Sequence, residues 1–191
     1  MAINLFDRVN NMMGAPVTKK ESPVSSTKVE YEKTLPGAAI PTALAGIFEL
    51  ASSADGANKI LDHLVNHRGD IENANSPCID FTFGTTVDDV VNKVANYSGT
   101  TYADAHSTIN DAARNGYRVL IQELVKETIK PEDITKYMVS QRHSILTHLP
   151  AELQMGHLLG DETIDDVSNK MEGPISNLMH KLGGSFSKSA K

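Results

Sequence analysis

The chain has 191 residues, a length that suits one domain with appendages and allows a stable core. With 40% hydrophobic and 22% charged residues its composition is globular and not disordered. Its net charge of -6 excludes the concentrated positive surface that phosphate contacts need, so nucleic acid is not an expected partner. There is no Trp, with five Phe and five Tyr, which leaves Leu, Ile, Val, Ala and Met to build the core and favours helices packed on helices. The single Cys78 forms no intramolecular disulfide and no thiolate metal cluster, which points to a reducing compartment. Asp7 and Arg8 interrupt the first apolar stretch, against a secretory signal, and no run approaches the ~20 apolar residues of a membrane span. A cytoplasmic location is the expectation.

Residues 2–13 place Ala2, Leu5, Phe6, Val9, Met12 and Met13 on one side of a short amphipathic helix. Residues 14–34, with two Pro and several Ser and Thr, read as a flexible linker. The globular domain is expected over residues 35–182, with a frayed basic tail over 183–191. Its first helix has Pro41 in the first turn, followed by Leu44, Ile47, Phe48 and Ala51 on one face. Asp55 suits the cap of the next helix, which carries Ala57, Ile60, Leu61, Leu64 and Val65 and ends near Arg68 and Gly69.

Residues 69–84 are rich in Asn, Pro and Gly; Ile79 to Phe83 alternate like a strand but have no partner strand, so the segment reads as a loop. Thr85 or Thr86 is the expected cap of a helix bearing Val87, Val90, Val91 and Val94, which Ser98 and Gly99 stop. From Thr101 a long segment aligns Ala105, Ile109, Ala112, Ala113, Gly116 and Leu120 and runs to about Thr128. Its small side chains should lie buried against another helix, and Gly116 is the expected kink. Pro131 starts a helix with Ile134, Tyr137, Met138, Gln141 and Ile145 on one face, and Pro150 a further one bearing Leu153, His157 and Leu158. A last stretch from Asp161 continues to Leu182 around Gly173 and Pro174.

VVNKVANYSG from Val90, then a small-residue helix, then Gln141, Ile145, Leu146, Leu149, Pro150, Leu153 and Gly160 follow one another in an order that resembles the YidB-like family of bacterial proteins of unknown function. The likeness is good over residues 85–160, loose over 41–67, and absent from the first forty and last thirty residues. ARNGY after Ala113 replaces a more apolar run of that family. The resemblance implies a compact multihelical fold and supplies no activity, cofactor or catalytic residue.

His63 and His67, at i and i+4 with Asp62 and Asp70 nearby, have the spacing that lets two imidazoles meet one metal, but HExxH is absent and a third ligand is not visible. His143, His148 and His157 flank Ser140, Ser144 and Asp161 without a nucleophile elbow. The acidic pairs Asp88–Asp89 and Asp165–Asp166 fit helix starts, and no phosphate-binding glycine loop occurs.

The sequence thus reads as an all-α protein, a compact multihelical bundle with a linker-tethered N-terminal amphipathic helix, non-enzymatic and without cofactor or functional metal. Its expected role is protein binding or self-association through Leu5, Phe6, Val9, Met12 and Met13, as scaffold or accessory factor. The alternatives are a metal-dependent enzyme using His63 and His67, or small-molecule binding between helices.

Overall fold

A computed structural model describes residues 4–15, 33–73, 76–125 and 129–160; among these every regular element is a helix and no strand occurs. The last expected stretch, with Asp161, Asp165, Asp166 and the basic tail, lies outside the described residues, as do Ala2 and residues 16–32 of the expected linker. The helices are α1 (Leu5–Met12), α2 (Leu35–Ser52), α3 (Ala54–Asn66), α4 (Arg68–Glu72), α5 (Cys78–Phe83), α6 (Val87–Ser98), α7 (Tyr102–Leu124), α8 (Pro131–His148) and α9 (Met155–Leu159). Single 3-10 turns at Gly84–Thr86 and Ala151–Leu153 lead into α6 and toward α9.

The centre of the bundle is α2. Thr34 caps it by accepting from the Gly37 N–H at 3.2 Å, with Pro36 in the first turn, so the helix begins well before Pro41. Pro41 therefore lies inside the helix, a correction to its expected place in the first turn. A proline there removes one backbone hydrogen bond and costs about 3 kcal/mol, which the burial of nearly the whole helix outweighs. Ala38, Ala39, Ile40, Ala43, Leu44 and Ile47 have no exposed surface, and α3, α5, α6, α7, α8 and α1 all pack on this helix. By length and composition α2 is also apolar enough to cross a membrane, which the sequence reading missed; 72% of it is buried inside this fold.

Across α2 runs α7, 23 residues long and unbroken at Gly116. Ala105, Ala112 and Ala113 are fully buried, as expected of a small-residue face. Gly116 is there for space and not for bending, since a Cβ would stand 2.8 Å from Ile47 Cδ1 and 3.2 Å from Leu44 Cδ2. The close approach of α2 is what makes glycine fit, and the helix hydrogen bonds continue through it. At its start Thr101 caps α7 by accepting from the Asp104 N–H at 3.1 Å.

Several local expectations fall to tertiary contacts. Ser53, not Asp55, caps α3, its Oγ accepting from Gly56 N–H at 3.0 Å, while Asp55 pairs with Lys59 in the first turn. Neither Thr85 nor Thr86 caps α6 through its side chain; the Thr86 hydroxyl instead donates to the Phe83 carbonyl at 2.8 Å. The segment read as a loop contains α4 and α5. Cys78, Ile79, Thr82 and Phe83 of α5 are buried, a helical spacing that five alternating residues cannot be told from. The start of α5 is capped from outside: Asn110 on α7 accepts from Ile79 N–H and donates to the Ser76 carbonyl, both at 3.0 Å. Gly99 ends α6 in the left-handed conformation, φ 65°, as its position after Ser98 implied. The segment after Pro150 is a 3-10 turn, then Gln154 at φ 46°, then α9.

Candidate functional site

Of the five residues expected to dock the N-terminal helix, Leu5, Phe6 and Val9 are buried to within 1% of complete burial, in the core of their own chain. Met13 is partly buried against that core and Met12 is 41% exposed. A helix of eight residues is marginal alone, so its stability comes from this seat, which α7 and α8 form with α2 behind.

The seat recognises the helix through directional contacts as well as apolar ones. Asn4 caps α1, its Oδ1 accepting from Asp7 N–H at 3.2 Å, and the same oxygen accepts from the Ser144 hydroxyl at 2.9 Å. Leu5 N–H, one of the donors that a first helical turn leaves unpaired, donates to Gln141 Oε1 at 2.9 Å inside the buried interface. The Phe6 ring stacks on His148, centroids 3.8 Å apart and planes 12° from parallel. His148 is itself held by a 2.8 Å contact between Nδ1 and the Ser144 carbonyl. At the other edge Arg8 pairs with Glu123 and donates to Gln122, both near the end of α7.

Tyr137 completes this edge. Burial, reinforced by Glu123 and opposed by Arg8, pushes its phenol up to about 12, so the group is a neutral hydroxyl next to an ion pair. That hydroxyl is buried and has no hydrogen-bond partner among the described residues. Gln141 was legible as a member of the α8 stripe but not as a cap for α1. Asn4, Gln122, Glu123, Ser144 and His148 were missed in this role; the one available signal was a glutamine inside an otherwise apolar stripe.

The other constellations are engaged in ring packing and local pairing. His63 stacks on Phe81 (4.1 Å, 16°) and meets the Tyr117 ring edge-on at 5.3 Å, closing the junction of α3, α5 and α7. Burial, then the neighbouring His67, pulls its pKa below 6.5 against the pull of Asp70 and Asp62. The His67 ring stays beside it, centroids 6.0 Å apart, with its Nδ1 3.2 Å from Asp70 and its Nε2 3.8 Å from Asp62. No group of three metal-ligating side chains forms among the described residues.

Beneath His63 the Tyr117 hydroxyl shares a 2.8 Å hydrogen bond with Thr82, which donates to the Cys78 carbonyl at 2.7 Å. Burial pushes both the Tyr117 phenol and the Cys78 thiol up, so both stay protonated. Ser140 donates to the Tyr137 carbonyl and Ser144 to Asn4, so neither serine hydroxyl is bonded to an imidazole. Asp88, in the first turn of α6 with Asp89, accepts from Tyr102 at 2.5 Å. A shallow groove of about 360 Å³ runs between Lys93, Asn96 and Tyr97 of α6 and Glu152, Leu153 and Gln154. Lys93 closes one side of it by donating to the Leu153 and Gln154 carbonyls at 3.0 and 3.1 Å.

Compared with known proteins, the chain matches no family model, no curated protein and no solved structure.

Proposed function

We propose that the protein is a non-enzymatic interaction module of the helix-in-groove kind, whose seat on α7 and α8 holds an amphipathic helix carrying an Asn cap, an aromatic ring and a cation in fixed order. The observation that carries this reading is the matched set of contacts from Gln141, Ser144, His148 and Glu123 to residues 4–8, groups more than a hundred positions distant in the chain. Apolar burial alone would hold a helix without reading its sequence; hydrogen bonds to the cap and first turn read its position and direction. A lone Cys78 suits a reducing compartment, which supports a cytoplasmic role.

The test uses the full chain with Phe6→Asp, which puts a charge where the ring is buried and so releases α1 from the seat. A fluorescent peptide of residues 1–15 is then titrated in and its anisotropy read. Saturable binding that Gln141→Ala weakens roughly tenfold, the scale of one buried hydrogen bond, supports the module. Absence of binding to a chain still helical by circular dichroism removes the reading.

A further inference from the structure

The seat is filled by a segment of the same chain, and the covalent path between them is long. Residues 16–32 separate Ala15 from Lys33, 17 residues that reach at most about 60 Å when stretched. Among the described residues α1 is held to the bundle by non-covalent contacts, including the cap on Ser144, the N–H on Gln141, the ring on His148, the guanidinium on Glu123 and Gln122 and the burial of Leu5 and Val9. These contacts are indifferent to which chain supplies the helix.

We propose that α1 exchanges between two copies of this chain, each helix seated on the α7 and α8 of the other, in a reciprocal dimer. The inference rests on the interaction-module reading above and names the partner: a second copy, because its N-terminal segment carries Asn4, Leu5, Phe6, Arg8 and Val9 in the order that the seat matches. Exchange keeps each of these contacts. What opposes it is proximity, since a tethered helix faces its own seat at an effective concentration on the order of 1 mM. Wild-type dimer is therefore sparse at micromolar concentration and grows as the chain approaches that value.

Charge reversal across the Arg8–Glu123 pair tests this. Both side chains are at the rim, 30% and 26% exposed, so reversal repels without burying a charge. One full-length chain carries Arg8→Glu, the other Glu123→Arg. Alone, each has like charges at the contact whether the helix sits in its own seat or in that of an identical copy. Mixed, both contacts are matched only if each helix crosses to the other chain. Native mass spectrometry and light scattering should find at least roughly fivefold more dimer in the mixture than in either chain alone. A single chain carrying both reversals should behave as wild type.

A mixture that stays monomeric, while the peptide of residues 1–15 still binds the Phe6→Asp chain, overturns exchange and leaves the module reading standing. If neither assembles, the module reading itself fails. Should either reversed chain not fold, the wild type decides: dimer that grows between ~10 µM and ~1 mM and is lost in Phe6→Asp supports exchange, and a monomer throughout that range overturns it.

Discussion

Two imidazole rings lie flat on phenylalanine rings in this fold, and the two stacks differ in what surrounds them. His148 meets Phe6 at 3.8 Å and His63 meets Phe81 at 4.1 Å. At the first, the phenylalanine arrives on a short N-terminal helix that adds Leu5, Phe6 and Val9 to the core built on α2, α7 and α8. At the second, both rings lie between elements threaded through the chain, with Tyr117 beneath them tied by Thr82 to the backbone of α5. The lesson is that equal contact geometry does not mean equal consequence. The expectation is that a contact on a terminal helix fails locally, whereas one between central helices fails with the whole domain.

The largest effect should follow from Tyr117→Ala, which empties a fully buried site shared by α3, α5 and α7. A loss of about 3–5 kcal/mol in denaturant unfolding is expected, in a single transition that carries every helix. If unfolding instead splits, with α3 and α5 lost before α2 and α7, the junction is as separable as the N-terminal helix.

Phe6→Ala removes a ring just as buried, yet its cost is capped by the docking free energy of α1, because the helix can leave while the remaining core persists. A loss of about 1–3 kcal/mol is expected on that reasoning, below the full value for a core aromatic. Hydrogen exchange should show α1 amides unprotected and the α7 amides nearly unchanged. Equal destabilisation by Phe6→Ala and Tyr117→Ala would erase the distinction between the two stacks.

A smaller effect separates the stacks by pH. The His63 pKa is lowered in the fold, so the native state binds its proton less readily than the unfolded chain does. Its contribution is intact above pH 6.5 and is lost as pH falls below that value toward the lowered folded pKa. Melting temperature should drop more for wild type than for His63→Phe between pH ~7.5 and ~5, since the variant keeps a ring on Phe81 and removes the titration. Parallel curves for the two proteins would show that His63 is not the group responsible.

The smallest signal is chemical. The Cys78 thiol is buried, and burial raises its pKa against the opposing pulls of Ser76 and Arg114. Labelling by an aromatic disulfide reagent should be slow in the native protein and unchanged by Phe6→Ala, but faster in Tyr117→Ala, which loosens α5. Acceleration by Phe6→Ala would mean that release of α1 is felt across the bundle.

Where a helix is specified by its own residues, the sequence was enough. Thr101 started α7, Pro131 with Glu132 and Asp133 started α8, and Gly99 stopped α6, because each signal acts within one turn of the backbone. The apolar stripes marked most of the inward side, since burial is periodic along a helix, but Met12 of the α1 stripe and Val65 of the α3 stripe are exposed. Tertiary structure decided what depends on distant groups. Asn110 supplies the cap that makes residues 78–83 a helix, and the packing of α2 keeps Pro41 inside a helix and requires glycine at 116. The seat of α1 belongs to this second class. Its partners lie over a hundred residues away, and only the packing of α7 beside α8 gathers Glu123, Gln141, Ser144 and His148 around four residues at the other end of the chain.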